Sequence, residues 1–334
     1  MSYKKIVFGT DGSARAAQAG RVAAHLARAA NARLTVVHVS EQRAGGEERL
    51  QAAVERAGAA GVRKVDGVLR SGLPADGLIA VADEKDAGIM VVSGGRGQQF
   101  APGPVAERLS RRAPCDLLVV AERPHPAEGA VYRRILIATD GSATADRAAR
   151  KGYELAAELE AEVVLVFVGH PATGTLITDD TVAVYAGEVS TEVRVEHGDP
   201  VERILASASE RNCDLIVVGN KGMTGAKRFF LNAVPKGVFH QADRDVLIAR
   251  TIVQAVSELG PGEGGIIERQ GEKLAAFVDA AGEFHVYSSR CTHMGCTVGW
   301  NPADSVFECP CHGSRFGTEG EVVQGPAARP LPPA

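Results

Sequence analysis

The chain of 334 residues has little cysteine over most of its length, and its aromatic content is only 5%. Cys115 and Cys213 are the only cysteines before residue 291, which excludes a disulfide-rich secreted scaffold for that part. No apolar run reaches the roughly 20 residues that a membrane-spanning helix needs. The N-terminal segment MSYKKIVFGTDGS also lacks the apolar core of a signal peptide. These absences predict a soluble, cytoplasmic protein without a membrane partner.

An excess of either charge is also missing. The chain has 37 Lys and Arg residues against 41 Asp and Glu residues, a net charge of −4. A balance so close to neutral predicts no nucleic-acid partner, because binding along a phosphate backbone needs a basic surface. The 45% hydrophobic content is that of a globular protein, and the length predicts two or three domains.

The first 250 residues contain an internal repeat. The segment KKIVFGTDGS at 4–13 recurs as RRILIATDGS at 133–142, and each is followed by an Ala-rich amphipathic stretch. Val-rich runs then alternate with helical patterns as far as DLLVV at 116–120 and DVLIA at 245–249. This alternation predicts parallel strands joined by crossover helices. We therefore expect an α/β protein with two tandem doubly wound parallel-sheet domains.

The domain boundaries are marked by changes in composition. The segment ERPHPAEGAV at 122–131 contains two prolines and predicts a linker between the copies. In the last part of the chain, short apolar runs alternate with glycine-containing turns, which predicts a small all-β domain. We expect α/β domains at residues 1–124 and 130–252 and the all-β domain at residues 255–334.

The two copies resemble the universal stress protein family in the strand-end Asp of TDGS, the Gly-x-x-Gly loop after the fourth strand and the following helix. Family members that continue with nine residues and Gly-Ser or Gly-Thr bind ATP, so the resemblance implies a nucleotide site. Glycines let backbone N–H groups approach phosphate, and the next helix N-terminus adds partial positive charge. The matching positions in the second copy are Asp140, Val168, Gly219, Gly222 and, in place of Gly-Ser, Asn232, Ala233 and Val234.

The first copy departs further from this pattern. Asp11, Gly94 and Gly97 match, but Gly103 follows after only five residues and precedes Pro104, which has no hydroxyl and no N–H group. The arm that would hold phosphate is thus four residues shorter than the family's nine. We expect ATP in the second copy and weak or no nucleotide binding in the first. The alternative is that each glycine pair is a simple turn and each Asp a helix cap.

Four of the six cysteines lie in the C-terminal segments CTHMGC at 291–296 and CPCHGS at 309–314. Each segment offers one Cys and one His, as C-x-H and as C-x-x-H. Zinc accepts two Cys and two His, but its patterns usually pair Cys with Cys and His with His. One Cys and one His per loop suit a [2Fe–2S] cluster with two thiolates on one iron and two imidazoles on the other. Structural zinc is the alternative.

Residues 255–334 resemble a Rieske domain in these two segments, in their spacing and in the later GPA at 325–327. The resemblance implies that Cys291 and Cys309 bind one iron of the cluster. The other iron is then expected on His293 and His312.

The Rieske resemblance implies roles for further residues. Cys296 and Cys311 match the disulfide that ties the two cluster loops together in some members, with two free thiols as the alternative. Ser314 matches the residue that donates a hydrogen bond to a bridging sulfide. Phe316 stands where high-potential members carry Tyr. Because hydrogen bonds to sulfur raise the reduction potential, we expect a potential below that of those members.

Two functional hypotheses remain. The first is a stress-linked redox sensor or electron-transfer protein, in which nucleotide occupancy is coupled to the state of the cluster. The second is a ferredoxin-like subunit that donates electrons to a partner oxidoreductase, with the repeated domains as a docking platform. An oxygenase would need a mononuclear iron site, for which no further domain is available. We therefore expect a carrier or sensor rather than an enzyme by itself, with an unidentified redox partner. Pairing through the last strand, as in stress-protein relatives, would join the two copies or form a homodimer.

Overall fold

The computed structural model describes residues 3–40, 45–94, 102–123, 129–220, 233–250, 259–269, 272–301, 304–309 and 311–334. The chain divides into two compact units, Met1–Arg250 and Thr251–Ala334. Within the described ranges, no helix has both the length and the apolar character to cross a membrane.

The first unit contains both copies of the repeat, each with five strands and four helices in the described residues. The strands of the first copy are β1 (Lys5–Thr10), β2 (Arg33–Ser40), β3 (Lys64–Ser71), β4 (Ile89–Ser93) and β5 (Asp116–Val120). Its helices are α1 (Ala14–Ala29), α2 (Gly46–Ala59), α3 (Pro74–Lys85) and α4 (Pro104–Arg112). The strands of the second copy are β6 (Arg134–Thr139), β7 (Glu162–Val168), β8 (Thr191–Glu196), β9 (Leu215–Asn220) and β10 (Asp245–Arg250). Its helices are α5 (Ala143–Leu159), α6 (Pro171–Tyr185), α7 (Pro200–Glu210) and α8 (Ala233–Gln241).

The TDGS motifs start the first helix of each copy. The hydroxyls of Ser13 and Ser142 accept a hydrogen bond from the backbone N–H three residues on, at 3.2 and 3.3 Å. Each serine is therefore the N-cap of its helix. Asp11 and Asp140 each accept the N–H of the serine two residues on through Oδ1, at 2.9 and 3.0 Å. In both copies, the Asp that follows the strand therefore stabilises this turn.

All ten strands of the first unit form one sheet, in the order β3-β2-β1-β4-β5-β10-β9-β6-β7-β8. The strands within each copy are parallel, as predicted, and helices cover both faces of the sheet. Continuous apolar runs suit such strands because both of their faces are buried. In β1, for example, Ile6 and Phe8 face one core while Val7 faces the other. The expected doubly wound α/β fold is confirmed.

The two copies meet where β5 pairs with β10 in antiparallel fashion. Asp116, at the start of β5, is buried and accepts the backbone N–H of Arg250 at 2.7 Å and the hydroxyl of Tyr3 at 2.8 Å. Asp245, at the start of β10, is fully buried and accepts the backbone N–H of Ala121 at 3.0 Å. Each copy therefore supplies a carboxylate that binds the end of the other copy's last strand. Pairing through the last strand takes place within this one chain.

The second unit consists of two small antiparallel sheets. The first contains β11 (Gly264–Arg269), β12 (Glu272–Val278) and β13 (Phe284–Ser288). The second contains β14 (Gly299–Asn301), β15 (Val306–Glu308), β16 (Arg315–Phe316) and β17 (Val322–Gln324). The Trp300 ring packs 4.9 Å from Phe307 and 5.5 Å from Phe277. A Cβ on Gly264 would lie 2.4 Å from the Trp300 ring, so only glycine fits there. The predicted small all-β domain is confirmed.

The Asp245→Ala substitution should destabilise the first unit by about 2–4 kcal/mol. It leaves the buried Tyr132 hydroxyl, now 2.6 Å from the carboxylate, and the part-buried Ala121 N–H without an acceptor. Urea unfolding followed by far-ultraviolet circular dichroism measures the change. Asp243→Ala, which removes an exposed carboxylate paired with Arg244, should cost under about 0.5 kcal/mol. Equal decreases in the free energy of unfolding for Asp245→Ala and Asp243→Ala would contradict the conclusion that Asp245 stabilises this junction.

Candidate functional site

Two loops with the same backbone hydrogen bonds carry the segments CTHMGC and CPCHGS. The N–H of Cys291 donates to the carbonyl five residues on at 2.8 Å, and the glycine four residues on donates back to Cys291 at 2.7 Å. Cys309 makes the same two bonds at 2.7 and 3.0 Å. Gly295 and Gly313 have φ values of 73° and 72°, a left-handed conformation that favours glycine. The shared Cys-x-x-x-Gly pattern thus encodes two equivalent loops.

These loops carry the four predicted metal ligands as two pairs, one of cysteines and one of histidines. Cys291 and Cys309 are each 2% exposed and belong to no disulfide. His293 and His312 are exposed, with ring centroids 4.9 Å apart and ring planes perpendicular. The two loops therefore offer two buried sulfurs and two imidazoles at the surface.

The surroundings of Cys291 favour its thiolate. Burial acts to raise the pKa of the thiol, but hydrogen bonds from the His293 backbone and from the Cys309 and Ser314 side chains outweigh it. The pKa of Cys291 therefore lies below its ordinary value. Thiolates are the form in which cysteine binds metals. The hydrogen bond between the thiols also places the two sulfurs next to each other.

Cys296 and Cys311 form a disulfide bond, with their Cα atoms 6.6 Å apart. Cys296 closes the first loop and Cys311 lies within the second, so the bond ties the loops together. The Cys309 sulfur lies within 4.8 Å of both disulfide sulfurs. Because two of these three sulfurs are already bonded to each other, the trio supplies a single free thiol and not a separate metal site.

A third segment is held against the two loops. Ser314 is fully buried, and its hydroxyl accepts the backbone N–H of Ala327 at 3.0 Å. The Thr292 hydroxyl donates to the carbonyl of Arg329 at 2.5 Å. Phe316 is fully buried beneath the second loop, where it offers no hydroxyl to a sulfur. Sequence reasoning missed Thr292, although its place between the Cys and the His of C-x-H was a signal.

In the second copy, those predicted nucleotide-binding residues that the structure describes lie at one edge of the sheet. Asp140 follows β6, Val168 is the last residue of β7, and Gly219 is the second-last residue of β9. These three strands are neighbours, and their carboxyl ends meet at the same edge. Ala233 and Val234 are the first two residues of α8, the helix that follows β9.

The sheet register corrects the expected equivalence of the two glycine loops. Gly219 pairs with Ala249 of β10, whereas the residue of β4 at the equivalent position is Ser93, and Gly94 lies one residue further on. In the sequence, five residues separate Gly97 from Gly103 in the first copy, and nine separate Gly222 from Asn232 in the second. The arm of the first copy is therefore four residues shorter in sequence than that of the second.

The other predicted residues of the first copy follow the same arrangement only in part. Asp11 follows β1 and Gly94 follows β4, and these strands are neighbours in the sheet. Gly97, like Gly222 and Asn232 of the second copy, lies outside the described residues.

The second copy has a group of carboxylates at this edge that sequence reasoning missed. Burial, followed by the charges of Asp140 and Asp180, raises the pKa of Asp146 from 3.8 to about 6. Asp146 lies in the first turn of α5, where the first copy has Ala17, and Asp180 lies on α6. Only the fold brings these carboxylates together, because Asp180 comes 34 residues after Asp146 in the chain.

The fold and the site define the class of this protein, a tandem α/β sheet protein with a two-thiol, two-imidazole metal-binding β domain. The model of the universal stress protein family matches residues 2–121, 131–181 and 175–250. The model of the Rieske [2Fe-2S] domain matches residues 249–334. The chain belongs to the universal stress protein family and carries a C-terminal Rieske domain, as the sequence motifs predicted.

Known proteins resemble separate parts of the chain. The putative Rieske 2Fe-2S iron-sulfur protein YhfW of Bacillus subtilis is 39% identical over 113 residues, 31% of this chain and 21% of that protein. Cytochrome b6-f complex iron-sulfur subunit 2 of Trichormus variabilis is 60% identical over 43 residues, 13% of this chain and 24% of that protein. The chain thus spans less than a quarter of the length of either relative.

A universal stress protein from Archaeoglobus fulgidus has the fold of the first unit. It superposes with a TM-score of 0.62 over 75% of this chain and 99% of its own, at 18% identity. At that identity the likeness shows the fold alone.

The Asp146→Asn substitution should stabilise the protein at pH 7 by about 1 kcal/mol, after allowance for solvent screening. The pKa of Asp146 in the folded state, about 6, exceeds its ordinary 3.8, so the folded chain holds this proton more tightly. The resulting stabilisation is complete below about pH 4 and is lost as the pH rises through about 6. Urea unfolding between these pH values should therefore show a flatter profile for the variant. Asp179→Asn, an exposed change on α6, should leave the profile as in the wild type.

Proposed function

We propose that this chain is a one-electron carrier whose [2Fe–2S] cluster is bound by Cys291 and Cys309 on one iron and by His293 and His312 on the other. One observation carries this proposal. Two loops with the same backbone hydrogen bonds hold two buried thiols and two exposed imidazoles, whose ring centroids lie 4.9 Å apart. This is the donor set that a Rieske cluster requires.

The chain's own residues fit the demands of such a group. A [2Fe–2S] cluster supplies one reversible electron when bound. The buried thiols keep water from the sulfur side, and the disulfide between Cys296 and Cys311 holds both loops in place. The exposed rings of His293 and His312 leave the imidazole side open to a partner protein. Phe316 offers no hydrogen bond to sulfur, which supports a potential below that of members with Tyr there.

We further propose that ATP binds in the second copy, at Asp140, Val168, Gly219 and the start of α8. The longer arm and the position of Gly219 support the second copy over the first. The carboxylates around Asp146 disfavour bare polyphosphate at this edge, so we expect the nucleotide to bind as its magnesium complex. In this proposal the protein is a cytoplasmic redox sensor whose nucleotide occupancy and cluster state are coupled.

The second candidate is an electron-donor subunit that serves a partner oxidoreductase. The likeness of the Rieske domain to cytochrome b6-f iron–sulfur subunits favours it. In this case the stress-protein copies would serve as a docking platform, and ATP would have no effect on the cluster.

The purified protein should contain about two irons and two acid-labile sulfides per chain and give a paramagnetic signal on reduction. Elemental analysis and low-temperature EPR measure both. Cys309→Ser should lose the cluster, because it removes one of the two buried thiols. Cys213→Ala should keep it, since burial raises the pKa of that thiol to about 11 and the residue lies in the first unit. One zinc per chain without iron would contradict the cluster.

Saturating MgATP should shift the reduction potential of the cluster if the sensor proposal is right. Coupling is reciprocal, so a tenfold difference in ATP affinity between the two redox states equals about 59 mV for one electron. Redox titration with and without MgATP measures the shift. Asp140→Ala should abolish it, whereas Asp11→Ala, which removes the same turn contact from the first copy, should not. An unchanged potential would favour the donor subunit.

A further inference from the structure

Helix α6 of the second repeat is polar on its buried side and carries large apolar side chains on its outer side. Its buried residues are Gly174, Thr178 and Thr181. The hydroxyls of Thr178 and Thr181 donate to the helix's own carbonyls four residues back, at 2.9 and 2.7 Å. Leu176 and Val184, by contrast, are 69% and 68% exposed. A helix at the surface of a globular protein normally has the opposite arrangement.

The equivalent helix of the first repeat is α2, and two contacts fix the correspondence between the two helices. In each repeat, one helix residue lies against the glycine of the TDGS turn, and one glycine of the helix lies against a ring on the second strand. These contacts are Ile177–Gly141 and Gly174–Phe167 in the second repeat, and Arg49–Gly12 and Gly46–His38 in the first. Both contacts give the same alignment, in which Gly46 corresponds to Gly174.

The outer side of α2 is charged where that of α6 is apolar. The residues of α2 that correspond to Leu176 and Val184 are Glu48 and Arg56, and both are exposed. The fold therefore does not require apolar side chains at these two positions, because its own duplicate has charged ones there. Exposed apolar side chains that lie close together on one helix favour contact with another surface, since burial removes them from water.

An aspartate lies at the centre of these exposed side chains. Asp180 comes four residues after Leu176 and four before Val184, so the three side chains lie on one side of the helix. We call these three residues the α6 surface. Helix α6 contains no Lys or Arg, and Asp180 forms no ion pair within the described part of the chain. The α6 surface thus has an uncompensated negative charge between two apolar side chains.

This charge argues against a second copy of the chain as the partner. Two α6 helices packed about a two-fold axis would be antiparallel, with Leu176 of each opposite Val184 of the other. Asp180 is halfway between these two residues and would face its own counterpart. Like charges brought together in a contact that excludes water repel each other. A partner with a basic residue at this place would instead form an ion pair.

We propose that the α6 surface docks a basic amphipathic helix of another protein. A Lys or Arg of that helix pairs with Asp180. Apolar side chains on either side of it cover Leu176 and Val184, which lie about 12 Å apart along the helix axis at 1.5 Å per residue. Neither the cluster nor a nucleotide takes part in this contact, so the proposal is independent of both proposed functions.

Fluorescence anisotropy of a labelled peptide, titrated with the full chain, tests the proposal. The probe is a peptide of Leu and Lys with its leucines at helical spacing (i, i+3, i+4, i+7), and the control peptide has the same composition in strict alternation. We expect saturable binding of the probe at one site per chain, and about tenfold weaker binding of the control. Absence of saturable binding would overturn the proposal. Equal binding of the two peptides would also overturn it, because it would show attraction to charge alone.

Leu176→Glu introduces the residue type that α2 has at Glu48. It adds a negative charge, so general attraction of a cationic peptide would strengthen, whereas loss of the apolar contact should weaken binding about tenfold. Leu73→Glu makes the same change at a leucine of the first repeat that is 50% exposed, and it should not weaken binding. Both leucines are exposed, and thermal unfolding verifies that both variants fold. Full binding by folded Leu176→Glu, or equal weakening by the two variants, would overturn the proposal.

Charge variants test the role of the aspartate. Asp180→Asn should weaken binding of the probe about fivefold and reduce its dependence on salt. Glu202→Gln, which removes an exposed carboxylate from the first turn of α7, should leave binding unchanged. Unchanged binding in Asp180→Asn would contradict the proposed ion pair and overturn the proposal.

Sedimentation of the full chain without peptide tests the other possible occupant of the α6 surface. We expect the wild-type chain and the Leu176→Glu variant to sediment alike. A dimer that Leu176→Glu dissociates would overturn the proposal, because it would assign the α6 surface to a second copy of the chain.

Discussion

The antiparallel pairing of β5 with β10 is the constraint on which the first unit depends. It joins two copies of one fold into a single ten-stranded sheet, in which β3 and β8 are the edge strands among the described residues. Asp116 and Asp245 make the junction specific, because each buried carboxylate binds a backbone N–H at the end of the other copy's last strand. A carboxylate that is buried at such a junction cannot be lost without leaving donors unsatisfied. The duplicated chain thus contains its own partner for the last strand.

The two copies share one sheet and the same strand arrangement, but their side chains differ. At the TDGS edge the turns are the same, yet the glycine loops differ in register and in length. At the opposite edge the last turns of α1 and α2 contain Arg28 and Arg56, whereas the last turns of α5 and α6 contain no basic residue. Duplicates that share a sheet therefore need not share the side chains at its edges. The two copies thus differ from each other separately at the two ends of their strands.

The Rieske unit shows how little sequence is needed to build a metal site. Two Cys-x-x-x-Gly segments form the same loop, and the glycine in each takes the left-handed conformation that closes it. Small antiparallel sheets and one disulfide then hold the loops against each other. Because the thiols are buried and the imidazoles exposed, the two ends of the site differ in their access to water. That asymmetry suits a carrier that exchanges electrons with another protein on its histidine side.

Sequence alone determined the features that depend on side-chain type and local spacing. These are the alternation of strands and helices, the internal repeat, and the set of two thiols and two imidazoles. The tertiary structure decided the features that depend on residues far apart in the chain. Examples are the β5–β10 junction, the one-residue difference between Gly94 and Gly219, and the proximity of Asp146 to Asp180. Local periodicity cannot encode them, because strand pairing and helix packing depend on hydrogen bonds and contacts between distant segments.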